Sequence, residues 1–181
     1  MNVILGLDVS TSKIGLSLLD SNENLIDCQV IKLNNKLSLE DRCLQLEHIV
    51  SSLDANNYIN KKNRYNIKNV YIESPFVMFS GGKTTAMTMS KLQRFNGMVC
   101  YMIRKTLGLE AELIAANKAR GAIGLKVKRG ENTKQKVIEW VKQKYPKDFV
   151  FELTRYGNPK PGTDDKADAI VVALAGLNLS K

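Results

Sequence analysis

The sequence predicts an α/β fold in which helices flank a five-stranded mixed sheet. Three apolar segments lie close together at residues 3–9, 14–20 and 24–33, joined by short turns rich in Ser and Asn. That pattern is typical of antiparallel strands in a meander. Beyond them, segments of helical periodicity alternate with short strand-like runs, which indicates strands connected by helical crossovers.

The first crossover is predicted by the residues after the third strand. Ser38 precedes two acidic residues, a combination typical of a helix N-cap, and apolar residues then recur at helical spacing until Asp54. A polar connection at 56–68 leads to a fourth strand at 69–73. Because a strand after a crossover helix usually returns parallel, we expect the fourth strand to lie beside the first.

The second half of the chain continues the alternation. The predicted elements are a helix at 84–107, a fifth strand at 109–114, a helix at 132–145, a short extended piece at 149–155 and a final helix after the turn-rich residues 156–162. Gly108 stands where glycine commonly follows a helix end, and Pro146 cannot continue a helix. The basic segment 117–130 is interpreted as a loop.

Acidic residues stand at the ends of three of these elements. Asp8 ends the first strand, Glu73 ends the fourth, and Asp164, Asp165 and Asp168 open the last helix. Residues three apart on a helix share a face, so Asp165 and Asp168 project together, whereas Asp164 could share the face of Asp168 or could cap the helix and complement its dipole. A fold that gathers these carboxylates predicts raised pKa values or bound hard cations such as Mg²⁺ or Mn²⁺.

Composition favours a nucleic acid as partner. The net charge is +9, with 27 Lys and Arg against 18 acidic residues, which is unusual for a metabolic enzyme. The region richest in basic residues comprises Lys118, Arg120, Lys126, Lys128, Arg129, Lys134 and Lys136. This region could be a face in contact only with solvent, or it could contact phosphates along duplex arms.

Length and cysteine content narrow the class of protein further. A chain of 181 residues is expected to form one domain over 1–181. Its three cysteines form no C-x-x-C pair, so neither a disulfide framework nor a thiolate zinc site is indicated. No apolar run is long enough to cross a membrane, so we expect a soluble, cytoplasmic protein.

Five short motifs follow one another in an order that resembles the RuvC family of Holliday junction resolvases. They are GLDVSTSKIG at 6–15, IESPF at 72–76, KLQRFNG at 91–97, KQKV at 134–137 and DKADA at 165–169. The likeness extends over nearly the whole chain. Leu92 departs from the pattern, because the family has Gly before the Gln of the third motif.

The resemblance implies a ribonuclease H-like fold and an endonuclease of DNA recombination and repair that hydrolyses phosphodiesters in four-way junctions. It implies Asp8, Glu73, Asp165 and Asp168 as the catalytic, metal-binding carboxylates, and it favours Asp165 over Asp164. Two Mg²⁺ ions, with Mn²⁺ as a substitute, could activate a water and stabilise the charge of the phosphoryl oxygens and the leaving group. The chain's single histidine is not needed for that chemistry.

The resemblance also implies contacts with branched DNA and with a second copy of the chain. Phe76 is either a core residue or stacks on an unpaired base at the branch point. Lys83 is predicted to contact a phosphate. A homodimer is expected to use the exposed side of the helix at 84–107, with Met87, Phe95 and Met102 as candidates.

Two other functions compete with this interpretation. A monomeric ribonuclease H-type nuclease acting on RNA or RNA–DNA hybrids would carry similar acidic motifs. A nucleotide-binding fragment of the actin or sugar-kinase type is suggested by residues 6–12, GLDVSTS, which resemble its phosphate loop. Proteins of that type pair two such domains, and this chain is long enough for only one.

Overall fold

One mixed sheet organises the part of the chain that the computed structural model describes, residues 1–54, 65–75 and 86–180. Its strands are β1 (Asn2–Val9), β2 (Lys13–Leu19), β3 (Leu25–Lys32), β4 (Asn66–Glu73) and β5 (Ala111–Ile114). They are arranged in the order β3-β2-β1-β4-β5. The first three are antiparallel, and β4 is parallel to both β1 and β5. The predicted five-stranded mixed sheet is therefore confirmed.

Helices cover both faces of this sheet. They are α1 (Leu39–Leu53), α2 (Ala86–Leu107), α3 (Ala116–Ala122), α4 (Thr133–Lys144) and α5 (Thr163–Leu179). One apolar core lies between the sheet and the pair α1 and α2, and a second lies between the sheet and α3, α4 and α5. Within the described ranges, none of the helices combines the length and the apolar character that a membrane crossing requires.

Side-chain alternation along β1 and β4 decides which residues reach the α5 face. Leu5 and Leu7 are fully buried in the core with α1 and α2, whereas Ile4 belongs to the core with α5. Successive side chains of a strand point to opposite faces, so Asp8 lies on the same face as Ile4, the face that α5 covers. On β4, Ile72 packs with α1 and α2, which leaves Glu73 on the α5 face.

Glycines in β1 and β2 allow α5 to approach the sheet at backbone distance. A Cβ atom on Gly15 would lie 1.9 Å from the carbonyl oxygen of Asp165, and one on Gly6 would lie 2.3 Å from that of Ala169. The hydroxyl of Ser17 donates a buried hydrogen bond of 2.8 Å to the same Ala169 carbonyl. Any larger side chain at these glycines would push the helix away from the sheet.

Two strand boundaries differ from the sequence prediction. β4 begins at Asn66, three residues earlier than expected, because the amide of Asn66 donates to the carbonyl of Met1 at 2.8 Å and extends the ladder beside β1. The residues at this end of the strand are mostly polar, so the sequence pattern did not predict them as part of a strand. β5 is shorter than predicted and begins at Ala111.

A helix was missed in the basic segment predicted as a loop. α3 is held to the rest of the protein by Ala119, which is 1% exposed and packs in the core with α5. Small and charged residues around Ala119 give this helix no apolar stripe in the sequence. The extended piece predicted at 149–155 is reduced to an isolated bridge between Leu153 and Pro159.

Two of the three predicted interface residues on α2 were wrong. Phe95 and Met102 are 0% and 2% exposed and belong to the core that faces α1 and the sheet. Only Met87 is exposed, at 81%. Helical periodicity alone could not say which apolar residues of this helix point inward.

Replacing Gly15 with Ala should destabilise the protein by about 1–3 kcal/mol, the usual cost of overpacking, because the new methyl group overlaps the backbone of α5. Denaturant unfolding followed by circular dichroism measures the effect. The matched control is Gly97→Ala in α2, where an added Cβ meets nothing within 4 Å and where alanine is the better helix former. If both variants were as stable as the wild type, the close contact with α5 would be refuted.

Candidate active site

Two carboxylates come from the carboxyl ends of neighbouring parallel strands. Leu7 of β1 lies beside Ile72 of β4 in the parallel register, so the next residues, Asp8 and Glu73, end the two strands at the same edge of the sheet. Both side chains are half-buried. On its other side Asp8 pairs with Gly15 of β2, whose missing side chain lets the backbone of α5 approach at Asp165.

The first turns of α5 bring the remaining acidic residues to this edge. The helix begins after Gly162, which adopts a φ of 100° and is followed by Asp164 and Asp165 in the first turn. The suggestion that Asp164 caps the helix was wrong, because Gly162 occupies the N-cap position without a side-chain hydrogen bond. Asp164 and Asp165 instead lie at the positive end of the helix dipole, which favours acidic side chains.

The pKa values show that the carboxylates of β1, β4 and α5 interact. Burial raises the pKa of Asp8 from 3.8 to about 8, and the charges of Glu73, Asp168, Asp165 and Asp164 add to the shift. Burial likewise raises the pKa of Asp168 to about 7, with further contributions from Glu73 and Asp164. The structure thus gathers the acidic residues that the sequence singled out, and their mutual repulsion makes the charged state costly.

Cationic side chains from other elements surround this acidic cluster. Burial raises the pKa of Glu73, while Arg120 of α3 and Lys134 of α4 oppose the rise. Lys134 donates a hydrogen bond to Asp164, and this bond is the main reason that the pKa of Lys134 is raised. Burial would raise the pKa of Asp164, but the hydrogen bond and the charge of Lys134 outweigh it, so the net shift is downward.

Lys13, at the start of β2, is a residue of this site that sequence reasoning missed. Its ammonium group donates a hydrogen bond to Oδ2 of Asp165 and forms an ion pair with it. Lys13 and Gly15 are two apart on a strand and therefore share the face that packs against α5. Once the first turn of α5 was placed beside Asp8, this alternation alone could have identified Lys13.

The donor chemistry of the cluster fits a divalent cation. Carboxylate oxygens are the ligands that Mg²⁺ and Mn²⁺ prefer, and a bound cation would relieve the repulsion that raises the pKa values of Asp8 and Asp168. In the described part of the chain, no three acidic, His or Cys side chains are already arranged as ligands of one metal ion. Two of the carboxylates are held in ion pairs, Asp164 by Lys134 and Asp165 by Lys13.

The predicted DNA-contact residues fall into three groups. Arg120 and Lys134 lie close enough to Glu73 and Asp168 to influence their pKa values. The side chains of Lys118, Lys126, Lys128 and Arg129 are exposed along α3 and the segment that follows it. Phe76 and Lys83 lie outside the described residues.

A groove adjoins the acidic cluster on the side of α4. It has a volume of about 700 Å³ and lies between the exposed face of α4 and residues 151–164. Lys134 and Asp164 line both the groove and the cluster, and Lys142 and Lys160 add positive charge farther along it.

The raised pKa values predict how stability depends on pH when metal is removed with a chelator. The folded protein keeps protons on Asp8 and Asp168 at a pH where the unfolded chain has lost them, so the free energy of unfolding should fall between about pH 4 and pH 8. Asp8→Asn should flatten this fall and stabilise the protein most at pH 8. Urea unfolding across this range tests the prediction, with exposed Glu110→Gln as the control that should leave the slope unchanged. A wild-type stability that rose with pH would contradict it.

The structure was compared with known proteins. A Thermus thermophilus RuvC in complex with a Holliday junction substrate aligns with a TM-score of 0.67 and 15% identity, covering 99% of this chain and 95% of that one. A second Thermus thermophilus RuvC structure gives a TM-score of 0.66 and 17% identity over 98% and 95% of the two chains. A ROK hexokinase from Thermus thermophilus reaches a TM-score of only 0.38 over 66% of this chain and 37% of its own.

No protein-family model and no curated protein matches the chain. The structural likeness to RuvC spans the whole described topology, from the antiparallel strands to the last helix. It confirms the resemblance on which the fold was predicted. The chain has the ribonuclease H-like fold of RuvC.

Proposed function

We propose that the protein is a metal-dependent endonuclease that resolves Holliday junctions and related branched DNA in the cytoplasm by hydrolysing phosphodiester bonds. The observation that carries the proposal is that Asp8 and Glu73 end neighbouring parallel strands at one edge of the sheet. The charges of Glu73 and Asp168 both raise the pKa of Asp8, so the first turns of α5 bring Asp168 to the same edge. Four-way junction DNA is bound by the RuvC of similar fold. The basic charge of +9 suits the same partner.

The proposed cofactor is a pair of Mg²⁺ ions, for which Mn²⁺ can substitute. Asp8 lies centrally, between Glu73 on the neighbouring strand and the acidic turn of α5, and would contact both ions. Glu73 would hold one ion and Asp168 the other, with Asp165 completing the ligand set. When bound, such ions supply an activated water and stabilise charge on the phosphoryl and leaving-group oxygens.

The surrounding cations would position the phosphate that is cut. Arg120 and Lys134 flank Glu73 and Asp168, so a phosphate placed at the carboxylates would meet their charged donors. Lys118, Lys126, Lys128 and Arg129 would contact phosphates of the duplex arms. Base stacking by Phe76 and a phosphate contact by Lys83 stay predictions from the sequence.

The proposed assembly is a homodimer, whose two active sites would match the two-fold symmetry of a junction. The apolar surface available for it differs from the one predicted. Met87 and Tyr101 of α2 are 81% and 71% exposed, and Leu44 of the adjacent α1 is 57% exposed. Leu44 and Tyr101 also line a groove between the two helices. We therefore assign the interface to this side of α1 and α2.

The test of this function compares labelled four-way junction, linear duplex and RNA–DNA hybrid, each with Mg²⁺ and with chelator. We expect symmetric cleavage of the junction only when Mg²⁺ is present. Cleavage of the hybrid by a monomer, with the junction left intact, would instead establish the ribonuclease H-type activity.

Asp8→Asn should lower junction cleavage by more than about 100-fold. Losing a residue that only hydrogen-bonds a metal ligand already costs up to about 100-fold, and a direct ligand should cost more. Junction binding in chelator should persist, because the basic surface is unchanged. Cleavage assays and gel-shift titrations measure the two effects.

Comparing Asp164→Asn with Asp165→Asn decides which of the two neighbouring residues is the ligand. An inactive Asp164→Asn variant together with an active Asp165→Asn variant would overturn the choice of Asp165.

Met87→Glu combined with Tyr101→Glu should convert the dimer to a monomer, because two buried charges at an apolar interface lack partners. Sedimentation velocity at micromolar concentration measures the assembly. Val150→Glu places a charge at another exposed apolar residue, 66% exposed, and should leave the dimer intact. A wild-type chain that sediments as a monomer, free and on a junction, would refute the assembly.

A further inference from the structure

We propose that Lys13 is a built-in counter-ion that occupies a cation position of the active site when no metal is bound. Its ammonium group holds Oδ2 of the Asp165 carboxylate, and a divalent ion that takes this oxygen as a ligand displaces it. Lys13 thereby lowers the affinity for that ion and stabilises the metal-free fold. The inference rests on the proposed metal-dependent function.

The geometry at Asp165 fixes this residue from two directions. Its backbone packs against Gly15, so the first turn of α5 cannot move away from β2 without losing that contact. Its carboxylate accepts a hydrogen bond from Lys13, which lies on β2 like Gly15. The Asp165 side chain is 11% exposed, and that of Lys13 is 34% exposed. The pair is therefore largely withdrawn from water, and it lies within the electrostatic reach of Asp8.

The neighbouring pair of Lys134 and Asp164 provides the contrast. There the lysine side chain is 71% exposed and the aspartate 20%. An ion pair in contact with water contributes little to stability, whereas removing one partner of a buried pair leaves a charge without compensation. The two lysines carry the same charge at the same acidic cluster, but Lys13 is half as exposed as Lys134 and holds the more buried of the two carboxylates.

Competition follows from the repulsion between two positive charges at one oxygen. Oδ2 of Asp165 accepts from Lys13, and an ion that binds this oxygen takes the place of the ammonium group. The displaced lysine has a route to solvent, since a third of its side chain is already exposed. Breaking the pair opposes ion binding and lowers the affinity for the ion. A variant without Lys13 has no pair to break and should bind the ion more tightly.

The test uses the full chain and its Lys13→Met variant, which keeps the length of the side chain and removes the charge. Lys134→Met is the matched control. In chelator, Lys13→Met should lower the melting temperature by several degrees and clearly more than Lys134→Met does. Saturating Mn²⁺ should restore Lys13→Met to the wild-type melting temperature or above it.

Calorimetric titration with Mn²⁺ provides the second readout. Lys13→Met should bind Mn²⁺ about tenfold more tightly than the wild type, and Lys134→Met should gain less. In an Asp165→Asn background, which removes the pair itself, Lys13→Met should change the affinity little. Lys13→Arg should behave like the wild type in chelator, because it keeps the charge.

Specific outcomes would overturn the inference. Equal gains in affinity for the two Lys→Met variants would reduce the role of Lys13 to net charge. Weaker Mn²⁺ binding by Lys13→Met would mean that Lys13 supports the ion rather than competes with it. Mn²⁺ binding by the wild type with no effect of Lys13→Met defeats this inference alone, whereas no binding by any variant defeats the proposed metal-dependent function as well.

Discussion

The contact between the backbone of α5 and two glycines of the sheet is the constraint on which the candidate site depends. Gly6 and Gly15 lie on adjacent strands, and neither has room for a Cβ atom. Together with the hydrogen bond from Ser17 to Ala169, they seat the start of α5 directly over the end of β1. The acidic turn of the helix is thus placed above Asp8 by steric fit, independently of any attraction between the side chains.

This placement has an electrostatic cost that the rest of the site offsets. Carboxylates brought together in a half-buried cleft repel one another, as the raised pKa values of Asp8 and Asp168 show. Lysines from β2 and α4 form ion pairs with Asp165 and Asp164. The raised pKa values of Asp8, Glu73 and Asp168 show that these three carboxylates are still costly to charge. A rigid packing contact holds the charges in place, which suits the divalent cations proposed above.

Much of the fold and the acidic half of the site could be predicted because their signals are local. Asp8 and Glu73 end apolar strands, and the spacing of Asp165 and Asp168 defines one helix face. The pairing of Lys13 with Asp165 could not be predicted, because the two residues are 152 positions apart and meet only through the packing of α5. The same limit explains the missed helix α3 and the misassigned Phe95 and Met102, whose orientation is set by neighbours rather than by periodicity.

The basic residues Arg120 and Lys134 also link the binding of metal to the binding of DNA in the proposed function. Arg120 and Lys134 were identified as phosphate contacts from the basic character of their segment, yet in the structure their charges act on Glu73 and Asp168. Metal ions that neutralise these carboxylates would free the two cations to meet the phosphate of a bound strand. Conversely, a phosphate that draws Lys134 from Asp164 would leave the acidic cluster more negative and more attractive to a cation. Metal and DNA should therefore bind cooperatively, because each releases the charged side chains that the other binds.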